Sequence, residues 1–196
     1  MSARTFRRIC VFCGSSPGHD RVYGDAAANL GAFLAHQGIG LVYGGGKVGL
    51  MGALADGALS AGGEVIGVIP EKLKALEVGH DHLTELFVVD SMHARKAMMA
   101  HLSDAFIALP GGWGTLEEIF EVTTWTQLNY HHKPVGLLNV RGYFDHLQAF
   151  LQHAGAAGFI RPVHQSLMSV ASSPEELLEA LTYAEIPDLA KWIKKL

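Results

Sequence analysis

Residues 105–118 read AFIALPGGWGTLEE: an apolar run, a proline, three glycines around a tryptophan, and a polar start to the next segment. The run 105–109 has the length and apolar content of a strand buried on both faces. Residues 116–128 follow with helical spacing, so the stretch reads as strand, glycine turn, helix. Two upstream segments share this grammar. Residues 8–13 form an apolar run that enters Gly14-Ser15-Ser16 and a helix predicted over 22–36. Residues 40–43 enter Gly44-Gly45-Gly46-Lys47-Val48-Gly49 and a helix over 50–60.

The rest of the chain continues the alternation. Strands are predicted at 64–69, 85–89, 135–138 and 167–170, and helices at 92–102, 144–153 and 174–182. A polar stretch with two histidines joins the strand at 64–69 to the one at 85–89, and the tail from Pro187 suits a short helix. Nearly uniform apolar strands alternating with amphipathic helices specify an α/β fold: a doubly wound, Rossmann-like parallel sheet with helices on both faces. No linker or repeat interrupts residues 1–196, so one nucleotide-binding domain is expected. The loops after the strands then share one edge, where ligands bind.

Composition narrows the function classes. Hydrophobic residues are 49% and charged residues 17% of the 196, enough apolar content for a large core. A formal net charge of −4 argues against a nucleic-acid partner. No apolar stretch approaches the ~20 residues of a membrane span, and no signal-type segment is recognisable. A cytoplasmic protein is expected. Cys10 and Cys13 have C-x-x-C spacing, but within a strand positions three apart face opposite ways, which argues against a redox or zinc pair. Of the remaining histidines, His80, His82, His131 and His132 are expected to face solvent, and Trp125 and Tyr130 to pack in the core or a dimer contact.

Three glycine turns at one sheet edge suit an anion, because glycines let backbone amides approach a phosphate and the following helix adds its dipole. Gly44-x-Gly46-x-x-Gly49 formally matches a dinucleotide fingerprint. It lies in the second βα unit, however, and Glu64 opens its strand and so misses a ribose at the far edge. Lys47 is followed by Val48, which fails a Walker A loop.

Two further segments carry charge in unusual places. Ser91 reads as an N-cap, which puts Arg95 and Lys96 near a helix start, where the dipole disfavours cations. They are either solvated charges or groups aimed at an anion in the crevice. Thr115-Leu116-Glu117-Glu118 reads as a capping box, with Thr115 at the N-cap. Glu118 is alternatively a carboxylate placed to meet positive charge developing on a sugar. Spacing alone leaves both pairs of readings open.

The segment 110–118, PGGWGTLEE, resembles the PGGxGTxxE signature of the LONELY GUY (LOG) family, and Met92-His93-x-Arg95-Lys96 resembles its second signature. Residues 44–52 and Cys13-Gly14-Ser15 look like the same family in the same order, and the likeness runs from about Ile9 to about Phe159. The resemblance implies hydrolysis of the N-glycosidic bond of N6-modified adenosine 5′-monophosphates, giving free base and ribose 5-phosphate. It implies Arg95 and Glu118 as the catalytic pair. Gly111, Gly112, Trp113, Gly114, Thr115 and Glu117 would bind substrate, with Glu77, Lys96 and Thr123 as further contacts. Gly14, Ser15, Gly45 and Gly46 would form an additional substrate loop. A homodimer, no metal and no cofactor are also implied. Ala94 stands where many members carry Glu, so whatever that Glu does for Arg95 must come from elsewhere. The rival reading is a nucleotide-binding protein of the same superfamily without hydrolysis. The lysine decarboxylase label often given to such proteins finds no persuasive lysine for a pyridoxal cofactor.

Overall fold

A computed structural model describes residues 3–77 and 79–187. The predicted short helix after Pro187, and Lys194-Lys195, lie outside the described residues. Seven parallel strands form one sheet: β1 (Arg8–Phe12), β2 (Gly40–Tyr43), β3 (Val65–Pro70), β4 (Glu85–Val89), β5 (Ala105–Ala108), β6 (Val135–Leu138) and β7 (Met168–Ala171). Their spatial order is β4-β3-β2-β1-β5-β6-β7. The chain winds outward from β1 in one direction, then returns beside it as β5 and winds the other way. This is the doubly wound arrangement the alternation predicts, and the reversal point lies between β1 and β5.

The helices are α1 (Val22–His36), α2 (Gly49–Ser60), α3 (Glu71–Glu77), α4 (Met92–Leu102), α5 (Trp113–Gln127), α6 (Asp145–Ala156) and α7 (Pro174–Thr182). Alternate strand residues feed two cores. Ile9, Val11, Leu41 and Ile107 pack with Leu30 and Leu34 of α1, Leu54 of α2 and Leu177 of α7. Cys10, Phe12, Val42 and Phe106 pack with Met99 of α4 and Ile119 of α5. Period-2 alternation in a sheet covered on both faces produces this division. It also sends Cys10 and Cys13 to opposite cores as free thiols.

Several expectations need correction. The stretch after β3 contains a helix, α3, because Glu-Lys-Leu-Lys-Ala-Leu-Glu is built of strong helix formers. Helix α5 starts three residues earlier than read. Its N-cap is Gly112, with no side-chain cap, and Thr115 lies inside the first turn. The capping box therefore does not form. His80 is not solvated: its side chain is 8% exposed, and Nε2 lies 2.9 Å from Asp56 Oδ1. His131 also turns inward, packing near the rings of Phe106 and Trp125. Burial there pushes its imidazole down to about 4. Arg8 is held at the opposite sheet edge by two bonds to Glu64, 2.7 and 2.8 Å, which keeps Glu64 far from any ligand at the glycine turns.

Candidate active site

The three glycine turns follow β2, β1 and β5, which are adjacent strands. Gly14 stitches them together. Its N–H donates to Pro110 O at 3.1 Å, and its carbonyl accepts from Leu50 N at 3.1 Å. A cleft opens here, lined by Gly14 and Ser15, Gly44, Arg95, and the first turn of α5 from Gly112 to Glu118. Cys13, Met51, Met92 and Met99 also line it, with Val11 and Phe12 of β1. Met99 belongs to no motif in the sequence, and Cys13, Met51 and Met92 occur in family-like segments that give them no role of their own.

The amides of residues 111–115 donate no hydrogen bond among the described residues; the first paired amide is Leu116 N, to Gly112 O at 3.1 Å. Five successive unpaired donors at a helix start are the kind of group that can take up an anion. Gly111 is required sterically, because a Cβ there would overlap the Thr115 hydroxyl and the Gly14 amide. Thr115 is 3% exposed and packs at this turn instead of capping. Trp113, by contrast, stands 91% exposed at the cleft mouth.

Helix α4 begins with the predicted cap: Ser91 Oγ accepts from Ala94 N at 3.1 Å. The solvated reading of Arg95 and Lys96 is overturned, since both are buried. Arg95 Nε donates to Val68 O and Nη2 to Gly44 O, each at 3.1 Å. These two carbonyls orient the guanidinium without any acid at Ala94. Arg95 makes no ion pair among the described residues, and its Nη1 meets only Met92 Sδ at 3.9 Å. A buried cation without a carboxylate is costly unless an anion arrives.

Lys96 faces the other way. Its Nζ lies 2.5 Å from Glu117 Oε1 and 3.0 Å from Glu121 Oε2, tying α4 to α5. Glu118, between those two acids in sequence, is 8% exposed and makes no hydrogen bond or ion pair among the described residues. Its carboxyl is pushed up to about 7, chiefly by burial. Arg95 pulls it down, and Glu117 adds to the rise. A group poised near neutrality in a cleft is suited to proton transfer or to switching on a charge.

Not every expected contact converges here. Gly45 and Gly46 turn toward the segment after α3, through His80 N to Gly45 O at 3.2 Å and a bridge from Gly46 to Gly79. Thr123 lines a separate cleft between α5 and α6, with Phe120, Leu151 and Met168. Glu77 closes α3, and its side chain lies outside the described part of the structure. No group of three or more His, Cys, Asp or Glu that could hold a metal ion occurs among the described residues.

The family model described as "Possible lysine decarboxylase" matches residues 51–181. The chain is 53% identical over 176 residues to the probable cytokinin riboside 5′-monophosphate phosphoribohydrolase LOGL2 of Oryza sativa subsp. japonica, covering 90% of this chain and 72% of that protein. It is 52% identical to cytokinin riboside 5′-monophosphate phosphoribohydrolase LOG1 of Arabidopsis thaliana, covering 90% and 83%. Among solved structures, the molybdenum cofactor carrier protein of Chlamydomonas reinhardtii superposes with a TM-score of 0.66 at 25% identity, covering 88% of this chain and 94% of that one. The molybdenum cofactor binding protein of Rippkaea orientalis gives 0.65 at 27% identity, covering 96% and 95%.

Proposed function

The chain belongs to the LOG family of cytokinin riboside 5′-monophosphate phosphoribohydrolases, and we propose that its cleft hydrolyses the N-glycosidic bond of N6-modified adenosine 5′-monophosphates, with Arg95 and Glu118 as the catalytic pair. The products are the free base, a cytokinin or adenine, and ribose 5-phosphate. The observation that carries this reading is the run of five unpaired amides, 111–115, beside a buried guanidinium and a buried carboxylate.

The 5′-phosphate docks on those amides and the α5 dipole, so binding energy remote from the broken bond holds the ribose. As the C1′–N bond lengthens, its electron pair leaves with the base and C1′ gains positive charge. Glu118, ionised, stabilises that charge and orients the water whose oxygen bonds to C1′. The water's proton passes to Glu118 and on to solvent, and the departing base takes its proton from solvent. Arg95 aligns Glu118 or a ribose hydroxyl. Lys96 and Glu117, paired with each other, brace the two helices that carry Arg95 and Glu118.

Incubation of the pure protein with AMP and with isopentenyl-AMP tests the reading. Free base should accumulate in step with ribose 5-phosphate. Tight nucleotide binding with no base released would support a non-hydrolytic nucleotide-binding protein; the two structural neighbours are named as a carrier and a binding protein of the molybdenum cofactor. A decarboxylase is disfavoured because the lysine beside Arg95, Lys96, is held by two carboxylates and not offered to the cleft.

A second expectation concerns pH. Glu118 acts ionised, and its carboxyl sits at about 7. The ratio kcat/KM should therefore rise about tenfold per pH unit below 7 and level off above it. The substrate phosphate titrates near 6, so its step lies on the acid side. A profile that falls through pH 7 would assign Glu118 the opposite, acid role.

The chain is taken to act as one nucleotide-binding domain, residues 1–196, in a homodimer in the cytoplasm. Supporting the dimer, α6 buries none of its residues, and Phe150 and Phe159 are 62% and 88% exposed near the second cleft. Supporting the location, no helix among the described residues is long and apolar enough to cross a membrane, and both cysteines are free.

A further inference from the structure

We propose that Tyr143 is a positioning residue for the anion cradle: its hydroxyl holds the Gly111 carbonyl so that the Gly112 N–H is presented to the substrate phosphate. This rests on the phosphate placement proposed above. Tyr143 Oη donates to Gly111 O at 2.6 Å, across 32 residues of sequence. The peptide unit is planar and trans, so its C=O and N–H point in opposite directions. Fixing the Gly111 carbonyl therefore fixes the direction of the Gly112 N–H. The preceding unit is fixed in the same way, since Pro110 O accepts from Gly14 N and turns the Gly111 N–H away from it. Each of the first two cradle amides is thus aimed by a bond to the opposite end of its own peptide.

The glycines make such restraint necessary. Without Cβ atoms, the 111–112 peptide can rotate at little steric cost. Substrate binding would then bear the entropy of ordering it.

The segment carrying Tyr143 is braced at several points. Asn139 Nδ2 donates to Asp145 Oδ1, and Asn139 Oδ1 accepts from Phe144 N, both at 2.7 Å. Phe144 is buried in the core beneath. Arg141 holds a left-handed backbone, φ 51°, that non-glycine residues avoid unless their surroundings impose it. Its Nη1 reaches Asp20 Oδ2 at 3.3 Å. The Tyr143 ring meets Tyr23 edge-on at 5.9 Å. Tyr143 is nonetheless 42% exposed, so its hydroxyl contributes little to the core.

Tyr143→Phe removes the hydroxyl and keeps the ring contacts. The test titrates wild type and variant with ribose 5-phosphate by calorimetry, measures kcat and KM with AMP, and measures inhibition by free adenine. The ribose 5-phosphate Kd and the KM should rise together by about five- to tenfold, the effect of one lost hydrogen bond. The kcat should stay within about twofold, and adenine inhibition should not move. Unchanged ribose 5-phosphate affinity, with or without a lower melting temperature, overturns the proposal. So does an equal loss for adenine, which lacks the phosphate. If wild type itself fails to bind ribose 5-phosphate, the phosphate placement falls and this inference with it.

Discussion

Glu118→Gln is expected to lower kcat by about 10²–10⁴-fold while ribose 5-phosphate still binds. The substitution keeps shape and polarity and removes the ionisable group. Because Glu118 caps nothing and pairs with nothing among the described residues, the variant loses no structural bond. Its stability should change in a definite direction. A carboxyl whose folded pKa is raised contributes stability that is present at acid pH and lost as pH climbs through about 7. Gln carries no charge at any pH. The variant should therefore match wild type at pH 4 and melt higher at pH 8, by at most about 3 kcal/mol of stability. Melting curves at the two pH values, beside base-release rates, check both halves. A fully active variant would return Glu118 to a passive role.

Arg95→Ala is the second large expectation, with kcat/KM falling by about 10²–10³-fold. Two consequences separate this from general damage. Arg95 opposes the burial that raises the Glu118 carboxyl. Its removal should move the ascending limb of the pH profile to higher pH. The carbonyls of Val68 and Gly44 also lose their donor, costing about 1–3 kcal/mol of stability for each one left unpaired. Arg95→Lys keeps the charge but not the forked geometry. It should hold the pH limb nearer its wild-type position while remaining slow. A pH profile unmoved in Arg95→Ala would show that the two groups do not sense each other.

Much of this molecule is readable from its residues. The bounds of α1, β2, β4, α4, β6 and α7 match the predicted ones, because apolar periodicity and caps such as Ser91 are local signals. The sequence places the start of α5 three residues late, because Thr115-x-x-Glu118 satisfies a capping pattern that this backbone does not use. Arg95 and Lys96 could not be assigned to water or interior, since helical spacing does not reveal which neighbours cover a face. Tyr143 offered no signal at all: its partner, Gly111, is brought to it only by the crossing from β5 to β6.

The sequence by itself determined the parallel sheet, the glycine turns and the order in which they occur, because strand, turn and helix preferences act over a few residues. The tertiary structure alone decided that three of those turns meet beside Gly14. It also decided that Arg95 is held by carbonyls from β3 and from the turn after β2, and that Glu118 is buried and pushed toward neutrality. Those outcomes depend on strand order and on exclusion of solvent. Both are properties of contacts between residues far apart in the chain, where no local pattern reaches.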